Sequence, residues 1–205
     1  IDDDVCAHLP SSLPPFRNPH FPDTPITIRM LLQHRSSLID NEDALRNPSP
    51  YRCDGITPHP MSITEYVSDL LSTRKNVWSS HSPPNTHTHY SNAGFTVLGC
   101  VIEHTHQRPF AEVIHTNIFT PLHMHHSTFH LKDAHKSHHV VPPTLDNGLQ
   151  QYYQVAEVPA AQLRSTAHDI IYFLKSFTLP HRLHSPLLSL PIITTMMPPD
   201  GCGGL

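Results

Sequence analysis

Apolar residues recur at the spacing of an α-helix in five segments of the chain, and loops rich in proline and histidine separate these segments. The pattern predicts a first helix at 27–34 and a second at 63–73. Ser62 and Glu65 have the spacing of a capping box at the start of the second helix. The third helix begins after residues 90–92, and its wide apolar stripe is typical of a helix buried on more than one side.

Two further helices follow towards the end of the chain. Pro109 suits the first position of the fourth helix, and Pro121 is expected to end it. The fifth helix is predicted to start at Ser165 or Thr166 and to run to Pro180. We therefore expect a chain built mainly from helices.

Strand signals are weaker than the helix signals. Residues 127–131 alternate with a period of two, and residues 152–155 have the composition of a strand. The apolar stretch 187–197 favours neither structure, because Pro191 splits it. No repeat long enough for a solenoid is visible. We predict a mainly α chain with few short strands, forming one partial domain over residues 1–205.

Composition limits the class of protein. The 205 residues suffice for one domain, and 38% hydrophobic with 15% charged residues is typical of a soluble globular protein. No apolar run reaches the roughly 18 residues that a transmembrane helix needs. The chain begins at Ile1 without a charged-then-apolar leader, so we expect a processed or partial chain. The sequence leaves the compartment undetermined.

The charge balance argues against nucleic acid as the main partner. The net charge is −4 at pH 7, whereas a protein that binds a phosphate backbone carries clustered positive charge. The 20 histidines titrate near neutral pH, so the sign of the net charge depends on pH.

The sequence YSNAG at 90–94 places a tyrosine and an asparagine two residues apart at the start of the third helix. In extended backbone such residues project to the same side, so Tyr90 and Asn92 would face one space while Ser91 turns away. A phenol can act as a general base, and a carboxamide can bind an amide substrate. The alternative is structural, with Ser91 or Asn92 as the helix N-cap and Tyr90 as a wall residue.

Four segments carry a resemblance to a known family, and they lie at residues 23–38, 90–99, 118–124 and 159–169. In this order they resemble the serine beta-lactamase and penicillin-binding-protein-like superfamily, in its class C and esterase branch. The resemblance implies an α/β fold in which helices back an antiparallel sheet. It also implies that this chain supplies the helical subdomain of that fold.

The resemblance assigns roles to two residues. It implies that Tyr90 is a catalytic phenol and that Asn92 binds and orients the substrate amide. The family's nucleophilic serine lies in an S-x-x-K motif, which is expected before Asp2. The family's strand motif, Lys or His followed by Ser or Thr and Gly, is expected after Leu205. We therefore expect no nucleophile within this chain.

Two further comparisons with the family pattern matter. The sequence STRK at 72–75 fits S-x-x-K, but it falls where the family has a surface loop, so we interpret it as coincidence. The family's usual HTSGL is HRSSL at 34–38, and its usual PAGGL is PAAQL at 159–163. Glycines mark backbone that needs positive φ or close packing, so their loss favours a degenerate copy or local rebuilding.

The histidines raise the question of a metal site. A zinc site needs three or four converging ligands, and neither an H-E-x-x-H motif nor a nearby cysteine partner is present. We expect these histidines to be exposed, with no metal and no cofactor, and we expect Cys100 to be a small core residue. The clustered histidines are His87 and His89, His104 and His106, His123, His125 and His126, and His135, His138 and His139.

Three hypotheses for function follow. The first is a serine hydrolase related to beta-lactamases, which transfers the acyl group of a lactam, an ester or a peptide. The second is a non-catalytic structural subunit of lactamase descent, whose partners are other protein subunits. A histidine-rich metal-storing protein is the third and the least favoured. The first two differ in whether an S-x-x-K and a K/H-S/T-G motif flank the chain.

Overall fold

A computed structural model describes residues 1–39, 50–54, 58–73, 77–136, 144–145, 148–149 and 153–177 of the chain. A 3₁₀ turn at Val5–His8 precedes the first helix, and a π-helical turn at His115–Phe119 continues the fourth. The helices are α1 (Ile28–Leu32), α2 (Ile63–Thr73), α3 (Asn92–His106), α4 (Phe110–Ile114), α5 (Leu131–Lys136), α6 (Val158–Ala161) and α7 (Ala167–Lys175).

Two small antiparallel sheets accompany the helices in the described ranges. Their strands are β1 (Arg52–Asp54), β2 (Thr144–Leu145), β3 (Gly148–Leu149) and β4 (Tyr153–Val155). Strand β1 pairs with β4, with Arg52 opposite Val155, and β2 pairs with β3. The prediction of a mainly helical chain with few short strands is confirmed. The strand expected at 152–155 is present as β4.

Helix α3 lies at the centre of the packing. It contacts α1, α2, α4, α6 and the 3₁₀ turn, which explains the wide apolar stripe of its sequence. Its buried positions include small residues, which let neighbouring helices approach closely. These positions are Ala93, Gly94, Thr96, Val97, Gly99 and Cys100.

Local capping sets where several helices begin. The Ser62 N–H donates to the Glu65 carboxylate at 2.7 Å, and the Glu65 N–H donates to the Ser62 hydroxyl at 3.2 Å. These two bonds form the predicted capping box, and the bonds from Ser62 lower the pKa of the Glu65 carboxyl. Helix α1 begins at the cap Thr27, and α7 begins at the cap Thr166. Helix α2 has the bounds predicted from the sequence.

Some expectations differ from the structure. The prediction of a strand at 127–131 is wrong. Thr128 forms an isolated bridge with Arg164, and Leu131 already begins α5. Pro109 is the N-cap of α4 and not its first helical residue. The ambiguous stretch 187–197 lies outside the described residues.

Two helix ends also differ from the prediction. Helix α1 ends at Leu32, and His34, which was expected in the helix, has left-handed backbone with φ 57°. Helix α7 ends at Lys175, followed by Ser176 as its C-cap. Among the described residues, no helix combines the length and the apolar character needed to cross a bilayer.

Gly99 sets how closely α3 approaches α6. A Cβ at this position would lie 2.2 Å from Cγ of Pro159, far inside van der Waals contact. The proline ring is stiff, so the backbones would have to separate. By contrast, a Cβ at Gly94 would meet Leu31 Cδ2 at 3.6 Å, which is an ordinary contact.

This difference predicts opposite effects of two alanine substitutions in one helix. Gly99→Ala should lower the free energy of unfolding by about 1–3 kcal/mol, because it overpacks the contact with α6. Gly94→Ala should leave it unchanged or raise it by about 0.5–1 kcal/mol, because alanine favours helix over glycine. Urea unfolding followed by circular dichroism measures both. Equal stability of the two variants would contradict the packing described here.

Candidate functional site

Tyr90 and Asn92 face the same space at the amino end of α3. The Tyr90 hydroxyl donates a hydrogen bond to Oδ1 of Asn92 at 3.0 Å. The Tyr90 side chain is 65% exposed, whereas Ser91 between them is 1% exposed. The alternation expected from extended backbone is therefore present, and both polar groups are accessible from solvent.

Ser91 is the residue that caps α3. Its backbone is extended, and its Oγ accepts the Gly94 N–H at 3.1 Å. Asn92 is the first residue of the helix, and its carbonyl oxygen accepts the Thr96 hydroxyl at 3.0 Å. Of the two caps considered from the sequence, the structure assigns Ser91. The Asn92 carboxamide is thus left to face the side of the Tyr90 phenol.

His34 contacts this site, although no motif in the sequence predicts a role for it. Its ring packs against Tyr90, with ring centroids 4.7 Å apart and a 35° angle between the planes. Its Nδ1 accepts the Ser91 N–H at 3.1 Å. His34 is 57 residues away in sequence, so no local pattern could reveal these contacts. Only the family-like segment HRSSL drew attention to its position.

The segment after His34 keeps left-handed backbone without a glycine. Ser37 stands where the family pattern has glycine, and its φ is 69°. Its carbonyl oxygen accepts the Ser79 N–H at 3.0 Å, and its hydroxyl accepts a hydrogen bond from the Asn18 carboxamide. The carboxamide of Asn18 also donates to the Ser79 carbonyl at 2.8 Å. Buried hydrogen bonds thus surround Ser37, although its left-handed backbone is unfavourable for serine.

Gln162, which stands where the family pattern has its second glycine segment, also forms polar contacts. Gln162 is 1% exposed, and the Arg164 guanidinium donates to both its backbone and side-chain oxygens at 2.8 Å. Burial lowers the pKa of the Arg164 guanidinium, against an opposing effect of Tyr153. Gln162 is therefore buried and hydrogen-bonded at a position where the family pattern has glycine.

Ser72 and Cys100 carry groups that could act as nucleophiles, but neither is well placed for that role. The exposed Ser72 hydroxyl donates to the Ser68 carbonyl of its own helix at 2.7 Å, and Lys75 lies outside the described residues. Cys100 is fully buried, and this burial raises the pKa of its thiol. Cys100 is a core residue, as expected from the sequence.

In the described part of the chain, two of the histidine groups noted in the sequence contain a pair of neighbouring imidazole rings. The ring centroids of His87 and His89 are 6.3 Å apart, and those of His123 and His125 are 5.8 Å apart. Within the described ranges no three His, Cys, Asp or Glu side chains lie together in a way that could hold a metal ion. His138 and His139 fall outside those ranges.

A separate pocket of about 300 Å³ lies beside α4 and the π-helical turn. Its lining includes the apolar side chains of Phe119 and Phe129 and the charged side chain of Arg108. The Arg108 guanidinium is already engaged, 3.5 Å from Glu112 and 3.3 Å from the Thr116 hydroxyl. Neither Tyr90 nor Asn92 lines this pocket, so it is not the site that the sequence predicts.

The fold and these motifs agree with the comparison to known proteins. The profile of the family described as Beta-lactamase matches residues 1–197, and the chain belongs to this family. The protein named Protein flp of Staphylococcus aureus strain N315 is 24% identical over 183 residues, which is 85% of this chain and 33% of the relative. The chain therefore spans about a third of the length of such a relative.

Solved structures show the same fold. The octameric penicillin-binding protein homologue from Pyrococcus abyssi superimposes with a TM-score of 0.68 at 18% identity, over 96% of this chain and 42% of that one. The D-amino acid amidase from Ochrobactrum anthropi SV3, in complex with L-phenylalanine, gives 0.62 at 22% identity, over 88% of this chain and 48% of that one. The predicted beta-lactamase and transpeptidase-like fold is thereby confirmed.

Substitution of Ser91 tests whether its hydroxyl caps α3 at the candidate site. Ser91→Ala should lower the free energy of unfolding by about 1 kcal/mol, because the Gly94 N–H loses its acceptor. Ser80→Ala is the matched control, since Ser80 is exposed and its hydroxyl forms a hydrogen bond with the neighbouring His81 ring. Urea unfolding should show a change within a few tenths of a kcal/mol for this control. Equal effects of the two substitutions would contradict the cap.

Proposed function

We propose that the protein is a serine hydrolase that transfers the acyl group of a lactam, an ester or a peptide. In this proposal Tyr90 is the catalytic phenol and Asn92 binds the substrate amide. Membership of the Beta-lactamase family supports the reaction class. The hydrogen-bonded and solvent-facing pair at the start of α3 supports the assignment of the two residues.

The exposure of the phenol is the observation that carries this proposal. A tyrosine that only lined a core would be buried, but the Tyr90 side chain is 65% exposed and its hydroxyl points towards the Asn92 carboxamide. The amino end of the long helix α3 lies next to the phenol, and helix amino ends favour negative charge on a nearby oxygen. The pair is therefore suited to proton transfer beside a developing anion.

The proposed chemistry needs groups from elsewhere in the protein. A serine hydroxyl attacks the acyl carbon, its proton passes by way of the phenol to the leaving group, and water then releases the acyl group. The nucleophile is proposed to come from an S-x-x-K motif outside residues 1–205. Ser72 is not proposed for this role, because its hydroxyl bonds to its own helix. Asn92 would hold the substrate amide through its carboxamide.

A non-catalytic structural subunit is the second candidate function. The loss of the family's glycines at Ser37 and at Ala161 and Gln162 favours it. Ser37 and Gln162 are both buried and hydrogen-bonded, which supports a stable fold at positions where the family pattern has glycine. The partners of such a subunit would be other protein chains.

A covalent probe separates these two candidates. The protein encoded by the complete reading frame around this chain is treated with a fluorophosphonate and, separately, with a fluorescent penicillin. Mass spectrometry of the digest then locates any adduct. We expect one labelled serine in an S-x-x-K motif outside residues 1–205. No labelled serine with either probe would overturn the hydrolase and favour the structural subunit.

Substitutions in the same protein test the two residue roles. Tyr90→Phe should lower kcat by about 10²–10⁴-fold, because a positioned acid–base group contributes on this order. Asn92→Ala should lower kcat/KM by roughly tenfold, the equivalent of one or two hydrogen bonds. An ester, a lactam and a D-amino acid amide serve as substrates.

The controls use the same changes away from the site. Tyr172→Phe alters a tyrosine on α7, and Asn117→Ala alters an exposed asparagine in the π-helical turn. Both controls should keep kcat/KM within about twofold of the unmodified protein, since they remove no group assigned to the site. Unchanged kcat in Tyr90→Phe would contradict the role of the phenol.

A further inference from the structure

We propose that His34 is a positioning residue for the Tyr90 phenol, and that it acts as a neutral imidazole whose proton is on Nε2. This proposal rests on the proposed role of Tyr90 in catalysis. It assigns a function to a side chain at the end of α1, remote in sequence from the site that it supports.

Three contacts join His34 to three consecutive residues. The His34 carbonyl oxygen accepts the His89 N–H at 2.8 Å, and Nδ1 accepts the Ser91 N–H at 3.1 Å. The ring itself packs on Tyr90, with a centroid separation of 4.7 Å. The backbone is therefore held on both sides of Tyr90, while one face of the phenol ring rests on the imidazole. The side chain that these contacts hold is 65% exposed.

The hydrogen bond from Ser91 determines the tautomer. A backbone N–H can only donate, so Nδ1 must carry a lone pair and the proton must be on Nε2. An imidazolium would present a second N–H towards the Ser91 N–H. The described arrangement is therefore one of the neutral ring.

This bond replaces part of a capping box. In a capping box the side chain three residues after the cap accepts the N–H of the cap residue. That position in α3 is Gly94, which has no side chain, so α3 cannot supply this acceptor itself. His34 supplies it from the end of α1. The start of α3, and Tyr90 next to it, thus depend on a group from another helix.

The backbone of His34 shows that the imidazole is not required by the turn. The His34 N–H donates to the Leu31 carbonyl at 3.1 Å, and the Arg35 N–H donates to the Met30 carbonyl at 2.6 Å. These bonds form a Schellman motif, in which the left-handed position is most favourable for glycine. Histidine in that position has φ 57°, so its side chain is retained against a backbone preference.

Two substitutions separate the imidazole from the turn. His34→Gly keeps or improves the backbone of the Schellman motif and removes the side chain. His34→Asn tolerates left-handed backbone and places Oδ1 where Nδ1 accepts the Ser91 N–H. In the complete protein, kcat should fall by about tenfold to a hundredfold in His34→Gly, with a smaller change in KM. His34→Asn should stay within about threefold, because the acceptor is restored.

A double substitution shows whether His34 acts through Tyr90. In the Tyr90→Phe background, His34→Gly should lower kcat by less than about twofold, because the phenol that it positions is already absent. An equal loss in both backgrounds would overturn the proposal, as would His34→Asn being as slow as His34→Gly. If Tyr90→Phe alone leaves kcat unchanged, the proposed function itself fails, and this outcome is distinct from a failure that involves His34 only.

The tautomer provides a readout that does not need activity. Imidazole ¹⁵N chemical shifts of the histidine-labelled protein report protonation of each ring nitrogen, and the His34 signals are assigned by their loss in His34→Asn. We expect a neutral ring at pH 7.5 with its proton on Nε2. A proton on Nδ1 at this pH would overturn the proposal.

Discussion

The N-cap of helix α3 is the local interaction on which the candidate site depends. Ser91 is buried and its Oγ accepts the Gly94 N–H, so the backbone must be extended at Ser91 and helical from Asn92 onwards. This change of conformation directs the side chains on either side of Ser91 towards solvent. The polar pair of Tyr90 and Asn92 is thus a consequence of how one helix begins.

The same helix also packs against α1, α2, α4 and α6. Its small buried residues allow close approach of its neighbours, most tightly where Gly99 meets Pro159 of α6. The Ser91 N–H at its amino end donates to His34, which follows α1. Helix α1 itself begins at the cap Thr27. The site is therefore connected to the core by short polar contacts and by helix packing. Contacts of this kind fix the position of a side chain.

Local signals in the sequence predicted some elements correctly. The bounds of α2 follow from Ser62 and Glu65, because a capping box involves only neighbouring residues. The pairing of Tyr90 with Asn92 follows from the alternation of extended backbone. The family resemblance added the fold, which the family match over residues 1–197 confirms.

Other features depend on tertiary contacts that no local pattern encodes. Alternation at 127–131 predicted a strand, but only Thr128 finds a partner, Arg164. Helix α1 stops two residues earlier than its pattern, because the left-handed backbone of His34 closes the turn. The contact between His34 and Ser91 joins residues 57 positions apart. The position of the imidazole could be found only after the fold was known.

The most direct measurement is a crystal structure of the complete protein with a penicillin or a phosphonate bound covalently to its serine. If Tyr90 and Asn92 form the site, the Tyr90 hydroxyl and the Asn92 carboxamide will lie about 3 Å from polar atoms of the bound group. An adduct at another place, with both side chains still facing open solvent, would contradict the account.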